Sequence, residues 1–236
     1  MPIRVTLTAV AATAAACLLL APSALASSQS SHQPVQVTGK QLKSALLPAS
    51  DFFAGYAPVD VYDSGGHLER TTVFRVKSMS CPDFWLFIGA VQGFGETAFA
   101  GDLVEDKSDT AAVEAIFSQS VYQFASSHSA SSFFDEVNAR YRSCRSVTEP
   151  FSGGGTITYS VHSQSKQHVG GHQAVQLVEY VSFSKAGGPP TVTYVLWTID
   201  GADIYVLTTN PLNTKSPQPT QSSLMLKLIA RVGALR

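Results

Sequence analysis

The feature of this sequence that most constrains its fold is an apolar stripe in residues 127–144 that ends on a cysteine. Apolar side chains recur there at every third or fourth position, at Ala130, Phe133, Phe134, Val137, Tyr141 and Cys144. This spacing predicts an amphipathic helix of about four turns whose one face packs against the core. Ser127 and Ser129 can cap its first turn, and Arg140 and Arg142 suit the negative end of the helix dipole.

Residues 1–26 are predicted to be a signal peptide. A short basic start that includes Arg4 is followed by an apolar run over residues 5–20, and Ala24-Leu25-Ala26 fits a cleavage site with the cut after Ala26. Two alternatives stay open. One is a retained membrane anchor, and the other is lipidation of Cys17, which ends a degenerate lipobox.

Cleavage after Ala26 leaves two cysteines, Cys81 and Cys144, in an exported chain. Two such cysteines most simply form one disulfide, which would tie the tryptophan-bearing segment after Cys81 to the far end of the predicted helix. The chain-entropy estimate for a loop of this size is about 4 kcal/mol of stability. No C-x-x-C motif is present, so we interpret the bridge as structural rather than redox-active.

Length and charge limit the classes of protein. We expect residues 27–37 to form a flexible Ser/Gln-rich leader and residues 38–236 to form one domain, a size that can bury a real core. Only 14% of the residues are charged, with 16 Lys+Arg against 17 Asp+Glu and no basic patch. This composition argues against a nucleic-acid partner.

The remaining patterns predict further helices and strands. Thr38 can cap a short helix, Cys81-Pro82 suits the start of an apolar one, and an apolar stripe after Pro219 predicts a C-terminal helix. Residues 51–70 are interpreted as irregular chain. The fold class is therefore α+β, with a mostly antiparallel β-sheet packed against N-terminal, central and C-terminal helices and with one disulfide.

Strands are predicted near residues 116–124 and over most of residues 156–208, where apolar residues alternate or run together between glycine-rich turns. Val169-Gly170-Gly171 and Asp200-Gly201 predict two of the turns. The last two strands are apolar on both faces, so we expect them to lie centrally in the sheet.

Four residues are candidates for ligand binding, namely Glu179, Tyr56, Trp85 and Trp197. Alternation places Glu179 on an apolar strand face, where a carboxylate must be paired, face a water-filled cleft or be displaced by a bulge. The aromatic candidates, together with Phe52 and Phe94, either line an apolar pocket or belong to the core.

No catalytic motif, phosphate-binding loop or dinucleotide fingerprint appears. His162, His168 and His172 lie close in sequence but lack an acidic or cysteine partner nearby, so we interpret them as strand-end residues rather than metal ligands. The sequence therefore predicts no catalytic residue, no metal site and no cofactor.

Several short landmarks follow one another along residues 40–236. They are Leu46-Leu47-Pro48, Asp51-Phe52, Gly55-Tyr56, Ser64-Gly65-Gly66, Cys81, Gly93-Phe94-Gly95-Glu96, Gln123-Phe124, Phe133-Phe134, Cys144, Val169-Gly170-Gly171-His172-Gln173-Ala174-Val175 and Ala230-Arg231-Val232. Their order resembles the PknH-type extracellular sensor domain, which is found on mycobacterial receptor Ser/Thr kinases and as free-standing secreted or lipid-anchored actinobacterial proteins.

The resemblance implies a helix-packed antiparallel sheet with a cleft for an unidentified ligand and no catalysis. We expect a secreted, non-catalytic domain of the cell envelope that binds a small molecule or an envelope protein, touching membrane only if the N-terminal segment is retained or Cys17 is lipidated. The chain lacks a kinase domain, and Ser146 stands where a further cysteine would be expected, so only one bridge can form. Two alternatives are a hydrolase that pairs Glu179 with a histidine and a structural envelope protein.

Overall fold

The computed structural model describes residues 35–52, 56–66, 68, 76–89, 95–106, 116–150, 155–184, 189–210 and 220–236. Residues 33–236 form one compact unit. The predicted signal peptide with Cys17 and Ala26, most of the predicted leader, and Phe94 lie outside the described residues. Among the helices that the structure describes, none is both long and apolar enough to cross a membrane.

Eight strands form one antiparallel sheet in the order β1-β2-β3-β8-β7-β6-β5-β4. The predicted α+β class is confirmed, and β8 and β7 lie at the centre of the sheet as expected. The strands are β1 Tyr56–Asp63, β2 Glu96–Asp106, β3 Ile116–Phe124, β4 Ser146–Pro150, β5 Thr156–Val169, β6 His172–Phe183, β7 Thr191–Asp200 and β8 Asp203–Asn210.

Four α-helices are described: α1 Gly39–Ala45, α2 Cys81–Gly89, α3 Ser127–Ser143 and α4 Gln221–Gly233. Short 3-10 turns span Ala49–Asp51 and Val76–Ser78. The apolar stripe of the predicted central helix is buried in α3, which confirms that helix. Its cap differs from the prediction, because the side chain of Ser126, one residue earlier than Ser127, accepts the hydrogen bond from the N–H of Ser129.

The helices cover the two faces of the sheet separately. One face, here the α3 face, packs against α2 and α3, and the other, here the α4 face, packs against α1 and α4. Each buried leucine or phenylalanine in these layers contributes roughly 1.5–3 kcal/mol. Alternation along each strand therefore decides which helix layer a side chain meets.

Two glutamines of β3 hold the N-terminal segment on the α4 face. The side-chain amide of Gln119 accepts from the Leu47 N–H at 2.9 Å and donates to the Leu47 carbonyl at 2.8 Å. Gln123 Oε1 accepts from the Val37 N–H at 2.8 Å. Val37, the last residue of the predicted leader, is thus buried and fixed.

Three strands departed from the sequence interpretation. β1 lies within residues 51–70, which were expected to be irregular; it is an edge strand, where Pro58 is tolerated beside a register shift. β2 gave no strand pattern because several of its inward positions are small, and the ring of Tyr62 lies against Gly101. β4 is only five residues long and has little apolar alternation.

Candidate functional site

Cys81 and Cys144 form the predicted disulfide, with Cα atoms 5.2 Å apart and a sequence separation of 63. The bridge joins the start of α2 to the residue after α3. Trp85 Nε1 also donates a hydrogen bond to the Cys144 carbonyl at 3.0 Å. The end of α3 is therefore bound to α2 by one covalent and one polar contact.

The indole of Trp85 is part of the core beneath α3. It stacks on Tyr159 with ring centroids 5.8 Å apart and meets Tyr141 edge-on at 5.6 Å. Trp85 is 9% exposed and Trp197 is 4% exposed. Both tryptophans therefore belong to the α3-face core.

Glu179 lies in β6 between Val161 and Thr193 and points toward α3. Its carboxyl is hydrogen-bonded with the hydroxyl of Tyr141, and its Oε1 is buried without a described partner. Burial raises the pKa of Glu179 to about 7, although the Tyr141 hydrogen bond opposes the rise. Of the three situations that the sequence allowed for this carboxylate, pairing is the one observed.

The four candidate residues do not form one site. Tyr141 contacts both Trp85 and Glu179, which brings these two together beneath α3. Trp197 shares their face of the sheet but lies four residues along β7 from Thr193, the partner of Glu179. Tyr56 begins β1 at the sheet edge, with four strands between β1 and β6, and its side chain is outside the described residues.

Neither His162 nor His172 forms a catalytic pair with Glu179. His162 stacks on Tyr180, whose side chain lies on the α4 face, whereas Glu179 faces α3. His172 Nδ1 lies 3.4 Å from a carboxylate oxygen of Asp200. Within the described ranges, no three His, Cys, Asp or Glu side chains are grouped as metal ligands.

A groove of about 330 Å³ opens on the outer side of α3. It lies between α3 and the 3-10 turn Val76–Ser78, and its size is at the small end of the range of ligand pockets. Charged groups of both signs surround it. Its lining residues are Lys77, Asp135, Glu136, Ala139, Arg140 and Ser143.

Two contacts fix the walls of this groove. The guanidinium of Arg140 donates to the carbonyl of Met79, which follows the turn, and Arg140 Nε is buried without a described partner. The disulfide acts on the same two segments, since Cys81 follows Met79 and Ser80, and Cys144 follows Ser143. The disulfide and the Arg140 hydrogen bond therefore tie the two walls of the groove together.

Sequence reasoning did not identify the groove residues, because helix periodicity marks Asp135, Glu136 and Arg140 only as solvent-facing. A signal was nonetheless present. Once Cys81 and Cys144 are paired, Lys77 and Ser143 must lie near each other, because each is within a few residues of a bridged cysteine.

A family profile matches the sequence, and one solved structure has a similar fold. The sequence profile described as the PknH-like extracellular domain matches residues 37–196. The crystal structure of the extracellular domain of PknH from Mycobacterium tuberculosis matches with a TM-score of 0.54 at 12% identity, over 84% of this chain and 97% of that chain. The structure of an uncharacterized protein from Mycobacterium smegmatis, the Rv0999 ortholog, matches with a TM-score of 0.33 at 15% identity, over 83% and 93% respectively. No curated protein matches the sequence.

Proposed function

Because this chain belongs to the PknH-like extracellular domain family, we propose that it is a secreted, non-catalytic sensor domain that binds a small envelope ligand in the groove between α3 and the turn Val76–Ser78. The family is one of extracellular sensor-type domains. Secretion in this proposal uses the signal peptide that ends at Ala26, followed by the leader. A partner protein of the envelope is the alternative occupant of the same groove.

The observation that carries the proposal is the cross-linked construction of the groove. Its two walls come from segments far apart in sequence, and the Cys81–Cys144 bridge and the Arg140–Met79 hydrogen bond hold them together. A site whose shape is fixed before binding loses less conformational entropy when the ligand arrives. Such pre-organisation suits a domain that must report low concentrations of a small molecule.

The charges of the groove select the chemistry of the ligand. Lys77 and Arg140 offer donors for a carboxylate or phosphate, and Asp135 and Glu136 offer acceptors for an ammonium group. A ligand that carries both charges can satisfy both sets, whereas a ligand of one sign leaves the other set facing it unpaired. We therefore propose a zwitterionic ligand, such as an amino-acid-bearing fragment of the cell wall.

The hydrolase alternative loses its main support, because Glu179 is paired with Tyr141 and lies on the other side of the sheet from His162. A general acid and a general base must reach the same substrate. The proposed role of Glu179, Trp85 and Trp197 is to support α3 from beneath rather than to contact the ligand.

Native mass spectrometry of the oxidised protein tests the proposal. The probes are a disaccharide–tetrapeptide from peptidoglycan, which carries charges of both signs, N,N′-diacetylchitobiose, which is uncharged, and an anionic phospholipid. We expect a one-to-one complex with the disaccharide–tetrapeptide that the Lys77→Gln/Glu136→Gln double variant weakens. The matched control is Lys166→Gln, an exposed lysine on β5 away from the groove. Absence of a complex, or equal binding by the double variant and the protein, would count against the groove.

A further inference from the structure

The α4 face of the sheet carries an aromatic surface that none of the described helices covers. His162, Tyr180 and Tyr194 lie there on β5, β6 and β7, and we call these three residues the tyrosine platform. Helix α4 starts at Gln221, whose side chain donates to the Tyr194 carbonyl at 2.9 Å. Helix α4 therefore covers the strands on one side of Gln221. Tyr194 lies on the other side and is 38% exposed.

A β-bulge in β5 builds part of the platform. Val161 pairs with Glu179 and Ser163 pairs with Val178, so His162 is an extra residue between two paired ones. The bulge places the side chains of His162 and Ser163 on the same face of the sheet. His162 then stacks on Tyr180 with ring centroids 4.7 Å apart and an interplanar angle of 19°.

The surroundings of the platform are rich in hydroxyl groups and carry few charges. Register places serines and threonines of β4, β5 and β6 on the same face, namely Ser146, Thr148, Thr158, Ser160, Ser163 and Ser182. Among the described residues of this surface, the one charged side chain is that of Arg145 at its border. Its guanidinium is engaged by the carbonyls of Val161 at 3.1 Å and His162 at 3.2 Å.

We propose that the tyrosine platform binds an uncharged polysaccharide. A sugar ring has an apolar face of C–H groups, which can lie on the electron-rich face of a tyrosine or histidine ring. Its hydroxyls can exchange hydrogen bonds with the surrounding serines and threonines, each of which is both donor and acceptor. Apart from Arg145 at its border, the described part of the platform offers no Lys, Arg, Asp or Glu side chain to a charged polymer. A chain laid across β5, β6 and β7 would meet His162, Tyr180 and Tyr194 in turn.

This site is separate from the groove, since the platform is on the α4 face of the sheet and the groove is on the outer side of α3. The platform would hold the protein on a polymer of the envelope, and the groove would bind a small fragment. The two sites can therefore be tested independently.

Affinity electrophoresis in native gels that contain a dissolved polysaccharide tests the platform. The probes are dextran, galactan, arabinan and mannan, which are uncharged, and polygalacturonate, which is anionic. We expect at least one neutral polysaccharide to retard the protein, and Tyr180→Ala and Tyr194→Ala each to weaken that interaction by about tenfold, as loss of a central aromatic anchor does. Phe183→Ala is the matched control, because Phe183 is a 39% exposed aromatic on the other face of β6, and it should leave the retardation unchanged.

Because Tyr194 is exposed, Tyr194→Ala should leave the fold intact. An unchanged thermal transition shows that this variant is folded. The proposal is overturned if no neutral polysaccharide retards the protein, if polygalacturonate retards it most, or if neither tyrosine variant changes the retardation. It is also overturned if analytical ultracentrifugation shows that the platform tyrosines hold two copies of the chain together. Binding of the peptidoglycan fragment should persist in both tyrosine variants, which separates failure of the platform from failure of the groove.

Discussion

The indole Nε1 of Trp85 donates to the carbonyl of Cys144 across 59 residues of sequence, at a distance of 3.0 Å. Cys144 is also the residue through which the disulfide reaches Cys81. One residue at the end of α3 thus receives both a covalent bond and a hydrogen bond from α2. The position of α3, and with it one wall of the groove, depends on this pair of contacts.

The Trp85 hydrogen bond can be separated from the packing of its ring. Trp85→Phe removes a buried N–H donor and leaves the Cys144 carbonyl without that donor, which should cost about 1–2 kcal/mol beyond the loss of ring area. Trp197→Phe is the matched control, because the Nε1 of Trp197 is buried without a described partner. Chemical denaturation of both variants should show the larger loss for Trp85; equal losses would mean that the hydrogen bond contributes nothing.

Removing the disulfide should lower both the free energy of unfolding and the affinity for the ligand, because the same bridge joins the two walls of the groove. For bridged residues 63 apart, the chain-entropy estimate is about 4 kcal/mol. Cys81→Ser/Cys144→Ser should therefore unfold at a much lower guanidinium concentration than the oxidised protein. If the protein and the double variant unfold at the same concentration, the bridge does not constrain the domain.

Stability should depend on pH through Glu179. The folded-state pKa of Glu179 is raised by burial to about 7 from its ordinary value of 4.5, so the folded protein holds a proton that the unfolded chain releases between these pH values. The contribution of Glu179 to the free energy of unfolding should therefore be greatest below pH 4.5. It should fall by at most roughly 3 kcal/mol as the pH rises to about 7. Denaturation measured at pH 5 and pH 8 checks the sign.

The matching variant is Glu179→Gln, which keeps the shape of the side chain but cannot ionise. It should flatten the pH dependence between pH 5 and pH 8, apart from a smaller part that comes from Asp102, whose pKa burial raises to about 6, and from Asp203, whose pKa burial also raises. Asp135→Asn, at an exposed position of α3, should leave the slope unchanged. A Gln variant with the same slope as the unaltered protein would show that Glu179 does not carry the effect.

The last residue of the chain should matter for stability. The guanidinium of Arg236 pairs with the carboxylate of Asp203, which is fully buried and also accepts a hydrogen bond from Tyr205 at 3.2 Å. Arg236→Met leaves that carboxylate without its counter-ion and should destabilise the domain by about 3 kcal/mol at neutral pH. Arg142→Met, at an exposed position, is the control; equal small effects from both would contradict a structural role for the pair.

Local sequence patterns were sufficient to predict the helices and the central strands. The stripe that ends at Cys144 predicted α3, and the doubly apolar segments predicted β7 and β8 at the sheet centre, because burial on one or two faces leaves a direct periodic mark. β1 was not predicted, because an edge strand that contains Pro58 has fewer apolar positions in its sequence. The disulfide was predictable because only two cysteines follow the predicted cleavage site.

The sites were harder to predict because they depend on which distant segments meet. Periodicity placed Glu179 on an apolar face, but only the register of β6 beneath α3 pairs it with Tyr141. His162 was interpreted as a strand-end residue, since a bulge cannot be recognised from alternation alone. The charged residues of the groove could not be grouped from the sequence for the same reason. Lys77 lies near the acidic residues of α3 only after the disulfide has joined the two segments.

The most direct test of the account is to locate the ligand. The ¹⁵N-labelled, oxidised protein titrated with the peptidoglycan disaccharide–tetrapeptide should show chemical-shift changes at Lys77 and along the outer side of α3, from Asp135 to Ser143, with β6 and β7 on the α4 face unchanged. Saturable changes confined to another part of the protein, or no change at millimolar ligand, would contradict a binding groove between α3 and the turn Val76–Ser78.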